Sequence, residues 1–325
     1  MTLGDGLKSD RSFNLNVLRL VLAVSVIVSH AWPLALGPVA MEPLEEITSR
    51  SMGGWAVGVF FFISGVLITA SAEGKSALTF WVARFRRIVP GLGAALLVTL
   101  ALAMASGSTA SLYQYAAWFF RAITLVSIEH SLPDAFSTNP YPLVVNGPLW
   151  SLVYEVAAYG VCAAFVSVGG EQSKIAIAAL IATASMLCLL EDALPGRLAT
   201  FGPLFLAFSL GMTAYLCRHR IVLKPVIGAG CLSMALLLPW NFAMGPAGGG
   251  LVVLLLCAPV LRLRQDVSYG LYIYGWPVAQ TVVASYPGIE PLALAIWTLV
   301  FTYPLALASW RLVESPALSF RRAAS

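Results

Sequence analysis

Long hydrophobic runs alternate with short polar segments along almost the whole chain. Each run extends for about 17–25 residues, the length that an α-helix needs to cross the hydrocarbon core of a bilayer. Charged residues or clusters of glycine and proline separate the runs. The pattern predicts ten transmembrane helices, near residues 14–36, 54–73, 85–106, 148–168, 174–190, 199–217, 222–239, 247–263, 267–286 and 291–313.

One further stretch, residues 113–128, is only partly apolar and contains Arg121. It lies in the long connection between the third and fourth predicted spans. A charged segment of this length does not meet the requirement for a full crossing. We therefore expect a re-entrant or interfacial helix here.

The positive charges are concentrated in every second connecting segment, so nearly all of them lie on one side of the membrane. Ten spans place both termini on one side, and cytoplasmic segments of membrane proteins carry an excess of lysine and arginine. If the termini are cytoplasmic, only Arg50, Arg121 and Arg197 of the 19 Lys and Arg residues are external. A miscount of one span would scramble this alternation. The charges therefore predict cytoplasmic N- and C-termini.

The composition supports the same fold class. Of the 325 residues, 59% are hydrophobic and 10% are charged, and the mean hydropathy is +0.85. Soluble domains contain roughly 25% charged residues, and a soluble enzyme of this size cannot bury so much apolar surface. We predict an all-α, polytopic transmembrane helical bundle in which residues 1–325 form a single membrane domain.

Cysteine and histidine residues show no pattern of a metal site or a disulfide framework. The three histidines have neither HxxxH nor HExxH spacing. The cysteines all lie in apolar runs, where single thiols behave as small hydrophobic residues; they are Cys162, Cys188, Cys217, Cys231 and Cys257. We expect no metal and no disulfide.

Arg19 and His30 are ionisable residues within the first predicted span. Eleven residues separate them, which places them within about 20° of one helix face and roughly 16 Å apart along the axis. Ionisable groups at membrane depth are costly and are usually functional. The structural alternative is that Arg19 reaches the cytoplasmic interface and that His30 binds a neighbouring carbonyl group.

Glu155 lies roughly 10 Å inside the fourth predicted span, at the depth expected for His30. A carboxylate beside an imidazole can orient the ring, select its tautomer and raise its basicity. A buried structural ion pair, for example with Arg121, is the alternative.

Arg84, Arg86 and Arg87 form a basic cluster just before the third predicted span. Such clusters set topology and bind anionic lipid headgroups. Guanidinium groups also bind phosphates through two parallel hydrogen bonds, so a phosphate-bearing cytoplasmic ligand is the functional alternative.

Six short motifs follow one another along the chain. They are NLNVLR (14–19) with His30, GVFFFISGVLI (58–68), FWVARFRRIVP (80–90), WSLVYE (150–155), SYGLYIYGWP (268–277) and ESP (314–316). In this order they resemble the acyltransferase 3 family of bacterial membrane O-acyltransferases, over nearly the whole chain. The motifs also contain residues that we expect to support a site, namely Ser64, Trp150, Ser151, Tyr154, Tyr269 and Trp276.

Two positions depart from the family pattern. Val156 follows Glu155, where many members have a second carboxylate, and Gly275 stands where a histidine often precedes Trp-Pro. Larger members carry a fused extracytoplasmic SGNH domain, which we do not expect in this chain.

The resemblance implies an enzyme of the bacterial inner membrane that takes an acyl group, by default acetyl, from cytoplasmic acyl-CoA. The acceptor would be a hydroxyl of a glycan or a lipid-linked saccharide. Arg84, Arg86 and Arg87, together with Arg19, would bind the donor phosphates. His30 would be a general base or a transient acyl carrier, oriented by Glu155. Acyl-CoA would be a co-substrate, with no tightly bound cofactor and no nucleic acid partner, and membrane lipids would surround the chain.

Two other functions are compatible with the same residues. Arg19, His30 and Glu155 would serve a secondary transporter or flippase as a proton or substrate pathway. In a structural or partner-binding membrane subunit they would only contribute to packing. A phosphate-binding cluster favours the enzyme, because a transporter needs no such cluster.

Overall fold

A computed structural model describes residues 1–125, 130–168 and 170–319, with the side chains of residues 166–174 outside the description. The described residues form α-helices and no β-strand. The helices are α1 (Leu3–Lys8), α2 (Asn14–Leu36), α3 (Pro43–Thr48), α4 (Met52–Ala72), α5 (Ala77–Ala105), α6 (Leu112–Thr124), α7 (Leu149–Val168), α8 (Gly170–Leu189), α9 (Gly196–Leu216), α10 (Pro225–Leu237), α11 (Trp240–Cys257), α12 (Ser268–Ser285), α13 (Pro291–Ser309) and α14 (Ser315–Ser319).

Every predicted hydrophobic run overlaps a helix, from α2, α4 and α5 to α7–α13. Within the described part of the chain, six helical segments are long and apolar enough to cross a bilayer. They are Asp10–Leu36, Met52–Ala72, Ala77–Ala105, Gly196–Leu216, Trp240–Cys257 and Pro291–Ser319. Shorter apolar helices occupy Leu149–Phe165, Ile175–Leu189 and Pro225–Leu237. The protein is therefore an all-helical membrane protein.

Helix α5 begins eight residues before the predicted span. The hydroxyl of Ser76 accepts a hydrogen bond from the backbone N–H of Thr79 and caps the helix there. The basic cluster therefore lies within this helix, whereas the sequence placed it just before the third span. Hydropathy alone missed this start because charged and aromatic residues lower the local average without ending a helix.

The predicted span at 247–263 was also misplaced. Helix α11 begins at Trp240 and ends at Cys257. Ala258, which precedes Pro259, has extended backbone angles, as proline requires of the residue before it. The apolar residues after Ala258 therefore belong to the loop that leads to α12.

Helix α6 corresponds to the stretch expected to be re-entrant or interfacial. Ser111 and Gln114 form a reciprocal capping box at its start. Its 13 residues are too few to cross a bilayer, and its buried side chains are Tyr115, Trp118 and Ala122. Residues 126–128 of the predicted stretch lie outside the described residues.

Close helix contacts hold the centre of the bundle together. Helices α4 and α9 cross at Gly65 and Gly211, where an added Cβ would collide with the opposing backbone carbonyl group of Phe208 or Phe62. Gly275 on α12 faces Ile27 on α2, and a Cβ there would lie 2.8 Å from Cγ1 of Ile27. This contact leaves no room for the histidine that often occupies this position.

Three segments predicted to be cytoplasmic meet at one end of the bundle, which we call the basic end: residues 1–13, 217–224 and 258–267. The backbone N–H of Leu3 donates to the carbonyl of Ile221 at 2.8 Å, and the N–H of Leu223 donates to that of Met1 at 2.9 Å. Nη1 of Arg11 donates to the carbonyl of Leu256 at 3.0 Å. The N-terminal segment thus closes over the loops that follow α9 and α11.

Candidate functional site

A cavity of about 150 Å³ lies among α2, α4, α5, α7 and α12. Its polar lining residues are Arg19, Ser64, Arg84, Arg87, Ser151, Glu155, Tyr159, Ser268, Tyr269 and Tyr272. Sites for whole drug-sized ligands occupy roughly 300–1,000 Å³. The cavity is therefore large enough for a small group or the end of a chain, but not for a whole nucleotide.

Arg19 on α2 and Arg87 on α5 share one carboxylate. Nη1 of Arg19 donates to Oδ2 of Asp266 at 2.9 Å, and Nη2 of Arg87 donates to the same oxygen at 2.7 Å. Oγ of Ser268 donates to Oδ1 of Asp266 at 2.6 Å. Asp266 lies in the loop before α12, so these bonds join three separate parts of the chain at the cavity.

The ionised form of Asp266 is strongly favoured. Burial on its own raises the pKa of this carboxyl group, but Arg19 and Arg87, together with the Ser268 hydrogen bond, lower the pKa to about 2. Asp266 therefore remains negatively charged over the whole physiological pH range.

A second carboxylate, that of Glu314, approaches Arg87 from α13. The chain widens into a π-helical turn at Trp310–Glu314, a feature often found at functional sites. Oε1 of Glu314 accepts a hydrogen bond from Ser309 at 3.0 Å, and Oε2 lies 4.0 Å from Nη1 of Arg87. Arg87 therefore lies between two carboxylates, one of them fully buried.

Glu155 lies on the α7 side of the cavity. Its Oε1 accepts hydrogen bonds from Oγ of Ser64, at 3.1 Å, and from the hydroxyl of Tyr159. Tyr159 is one helical turn from Glu155, a spacing at which side chains meet. Two donors from two helices thus hold the carboxylate in a defined position in the cavity.

The basic cluster on α5 divides between two sides of the helix. Arg84 and Arg87 both line the cavity, whereas the lining contains no atom of Arg86. Nη2 of Arg84 donates to Oγ of Ser71 at 3.1 Å, and its buried Nε has no hydrogen-bond partner among the residues that the structure describes. The expectation that all three arginines form one group thus holds in the structure for Arg84 and Arg87.

His30 lies further along α2, away from the cavity. Its ring packs edge-on against Trp276 of α12 with centroids 5.0 Å apart, and Tyr141 contacts the same indole at 5.3 Å. Among the described residues, no hydrogen bond or ion pair joins His30 to Glu155. The expected orienting contact is therefore not made in this structure.

The residues expected to support the site fall into three groups. Ser64, Ser151 and Tyr269 line the cavity. Tyr154 instead faces α9, where it stacks on Phe201 at 5.7 Å, and Trp150 packs edge-on against Tyr154. Trp276 contacts His30, and its Nε1 donates to the carbonyl of Val144 at 3.0 Å.

Sequence reasoning missed five polar residues of this region, namely Tyr159, Asp266, Ser268, Tyr272 and Glu314. The hydroxyls of Tyr272 and Ser151 lie 2.6 Å apart and join α12 to α7. Four of the missed residues carried a usable signal. Tyr159 is four residues from Glu155, Ser268 and Tyr272 lie in the SYGLYIYGWP motif, and Glu314 lies in the ESP motif. Asp266 carried little signal, since an aspartate in a loop is ordinary.

No group of three or more His, Cys, Asp or Glu side chains capable of binding a metal occurs in the described residues. The five cysteines are free thiols.

Comparison with known proteins connects this geometry to an activity. The family model described as acyltransferase domain, acyltransferase 3, matches residues 13–311. The chain belongs to the acyltransferase 3 family. It is therefore an acyltransferase, and the cavity motifs are those on which the family resemblance depends.

Two curated relatives of this acyltransferase align over most of their length. Nodulation protein 10 of Rhizobium leguminosarum bv. viciae is 30% identical over 314 residues, covering 83% of this chain and 84% of the relative. An O-acetyl transferase of Shigella phage Sf6 is 28% identical over 312 residues, covering 87% and 90%. No solved structure matches the chain.

Proposed function

We propose that this acyltransferase is a membrane O-acetyltransferase that moves an acetyl group from cytoplasmic acetyl-CoA to a hydroxyl of a glycan or lipid-linked saccharide. One observation carries the proposal: Arg19, Arg84 and Arg87 converge from two helices on a single cavity. A relative named O-acetyl transferase supports acetyl as the transferred group.

The donor would bind with its phosphates at the basic end. Guanidinium groups suit phosphates because their planar N–H groups match two phosphate oxygens at once. The cavity of about 150 Å³ would receive the thioester end of the pantetheine arm while the nucleotide stays outside it. Arg84 lines this cavity together with Arg19 and Arg87, so its guanidinium group is placed to contribute to such a phosphate site.

His30 would act further along the same helix face, as a general base on the acceptor hydroxyl or as a transient acyl carrier. Trp276, which itself packs against Tyr141, contacts the imidazole on one side. Glu155 would act from the donor side of the cavity, where Ser64 and Tyr159 already hold its carboxylate. A bound substrate would lie between His30 and Glu155 and would link the two side chains.

We also propose ten spans with both termini in the cytoplasm of a bacterial cell. Clustering of the predicted cytoplasmic segments at the basic end supports this orientation. Arg86, on the other side of α5, would then lie near anionic lipid headgroups.

The test is transfer of labelled acetyl from acetyl-CoA to the saccharide fraction of membranes containing the protein. We expect His30→Ala to abolish transfer while the purified variant still binds acetyl-CoA. As a matched control, Arg262→Gln should leave transfer intact, because Arg262 is exposed, pairs with Asp10 and is not part of the cavity lining. Normal transfer by well-expressed His30→Ala would refute the role of His30. If the folded wild-type protein did not bind acetyl-CoA, the proposal that acetyl-CoA is the donor would be refuted.

A further inference from the structure

Asp266 acts on the cavity without lining it. Its three hydrogen-bond donors, Arg19, Arg87 and Ser268, all line the cavity, whereas the carboxylate itself stands behind them. The side chain of Asp266 is 16% exposed. The carboxylate therefore contacts both guanidinium groups from outside the set of residues that line the cavity.

Two arginines do not adopt such positions unaided. A free arginine side chain loses about 2 kcal/mol of rotamer entropy when it is fixed, and two guanidinium groups repel each other. One shared oxygen of Asp266 offsets both effects for Arg19 and Arg87. Each guanidinium has five N–H groups, so donors remain free for a second anion after Asp266 is bound.

The charges around the cavity balance. Three arginines face three carboxylates, namely Arg19, Arg84 and Arg87 against Glu155, Asp266 and Glu314. Excess positive charge therefore does not by itself explain anion binding at this site. The fixed arrangement of N–H donors, which depends on Asp266, provides a better explanation.

We propose that Asp266 is a positioning residue that holds Arg19 and Arg87 as a preformed pair for the phosphates of the acyl donor. The inference rests on the proposed function, because it takes acyl-CoA as the donor. It predicts the sign of the effect: neutralising Asp266 weakens donor binding. If Asp266 instead merely occupied the phosphate position, the same change would strengthen donor binding.

The test compares acetyl-CoA with S-acetylpantetheine, which carries the same thioester but no phosphate, on the purified full chain in detergent. For Asp266→Asn, we expect the Kd for acetyl-CoA to rise about tenfold, the scale of one lost charged interaction. The Kd for S-acetylpantetheine should change less than about twofold. If Asp266 had a purely structural role, the substitution would weaken the binding of both ligands equally. That result would overturn the proposal.

A double-mutant comparison then identifies the partner through which Asp266 acts. In an Arg19→Gln/Arg87→Gln background, Asp266→Asn should have no further effect on the acetyl-CoA Kd, because its partners are gone. With both arginines present, Asp266→Glu keeps the negative charge, so its affinity for acetyl-CoA should be close to that of the wild type and well above that of Asp266→Asn. Full additivity of the three changes would overturn the proposal.

Two further variants keep the test decisive. Asp10→Asn removes an exposed carboxylate that pairs with Arg262 at the same end, and it should leave both ligands unaffected. If Asp266→Asn does not fold, Ser268→Ala can replace it, because it removes only the 2.6 Å hydrogen bond to Oδ1 of Asp266. This variant should bind acetyl-CoA more weakly and S-acetylpantetheine as well as the wild type does. Equal affinities in Ser268→Ala and wild type would then count against the proposal. Wild-type protein that binds neither ligand would refute the proposed donor itself.

Discussion

Arg84 and Arg87 lie about one turn apart on the same face of α5, and both line the cavity. Arg86, between them in sequence, is not part of that lining. A three-residue spacing brings side chains onto one helix face, whereas a two-residue spacing separates them. The three arginines are therefore not equivalent in the structure, although they lie within four consecutive positions of the sequence.

This difference predicts unequal effects of the same substitution. Arg84→Gln and Arg87→Gln should each raise the Kd for acetyl-CoA about tenfold or more, because each removes a charged donor at the cavity. Arg86→Gln should change it by less than about threefold. Calorimetry on the three purified variants measures the effect. A uniform loss across all three would indicate a general electrostatic effect rather than a cavity site.

The contact between α4 and α9 predicts a large effect on stability. Gly65→Ala places a methyl group against the backbone carbonyl of Phe208 and should destabilise the protein by about 3 kcal/mol or more. Gly160→Ala is the matched control, since a Cβ there meets nothing within 4 Å. Thermal unfolding in detergent should show a lower Tm for Gly65→Ala alone. Equal Tm values would contradict the helix contact.

Asp266 predicts how stability depends on pH. Its carboxyl pKa falls from 3.8 to about 2 on folding, so it stabilises the fold above pH 4 and loses that contribution as pH falls toward 2. The shift corresponds to about 2 kcal/mol. Asp266→Asn should be less stable than wild type at pH 6, and the difference should shrink at pH 2–3. A difference independent of pH would show that the ionised carboxylate is not responsible.

Single cysteines can determine the orientation in the membrane. In a background without the five native cysteines, Ser137→Cys should react with a membrane-impermeant maleimide in intact cells. Arg264→Cys should react only after permeabilisation, because its loop lies at the basic end. Both positions are exposed, so a lack of reaction reflects sidedness. The reverse pattern would overturn the proposed topology.

The sequence by itself determined that the protein is a helical membrane protein and where nearly all its long helices lie. Apolar runs of bilayer length must form helices in the membrane, because a backbone in lipid must satisfy its own hydrogen bonds. The ordered motifs also determined the family. Helix ends at Ser76 and Ala258 were less readable, since capping and proline geometry decide them locally.

Only the tertiary structure decided which polar groups share a site. The sequence placed His30 beside Glu155 from their similar depth, but depth does not specify the rotation of one helix against another. The packing of α2, α5 and α7 against α4 and α12 decides those rotations. They bring Arg19, Arg87 and Asp266 together from positions up to 247 residues apart, and no local pattern encodes such a contact.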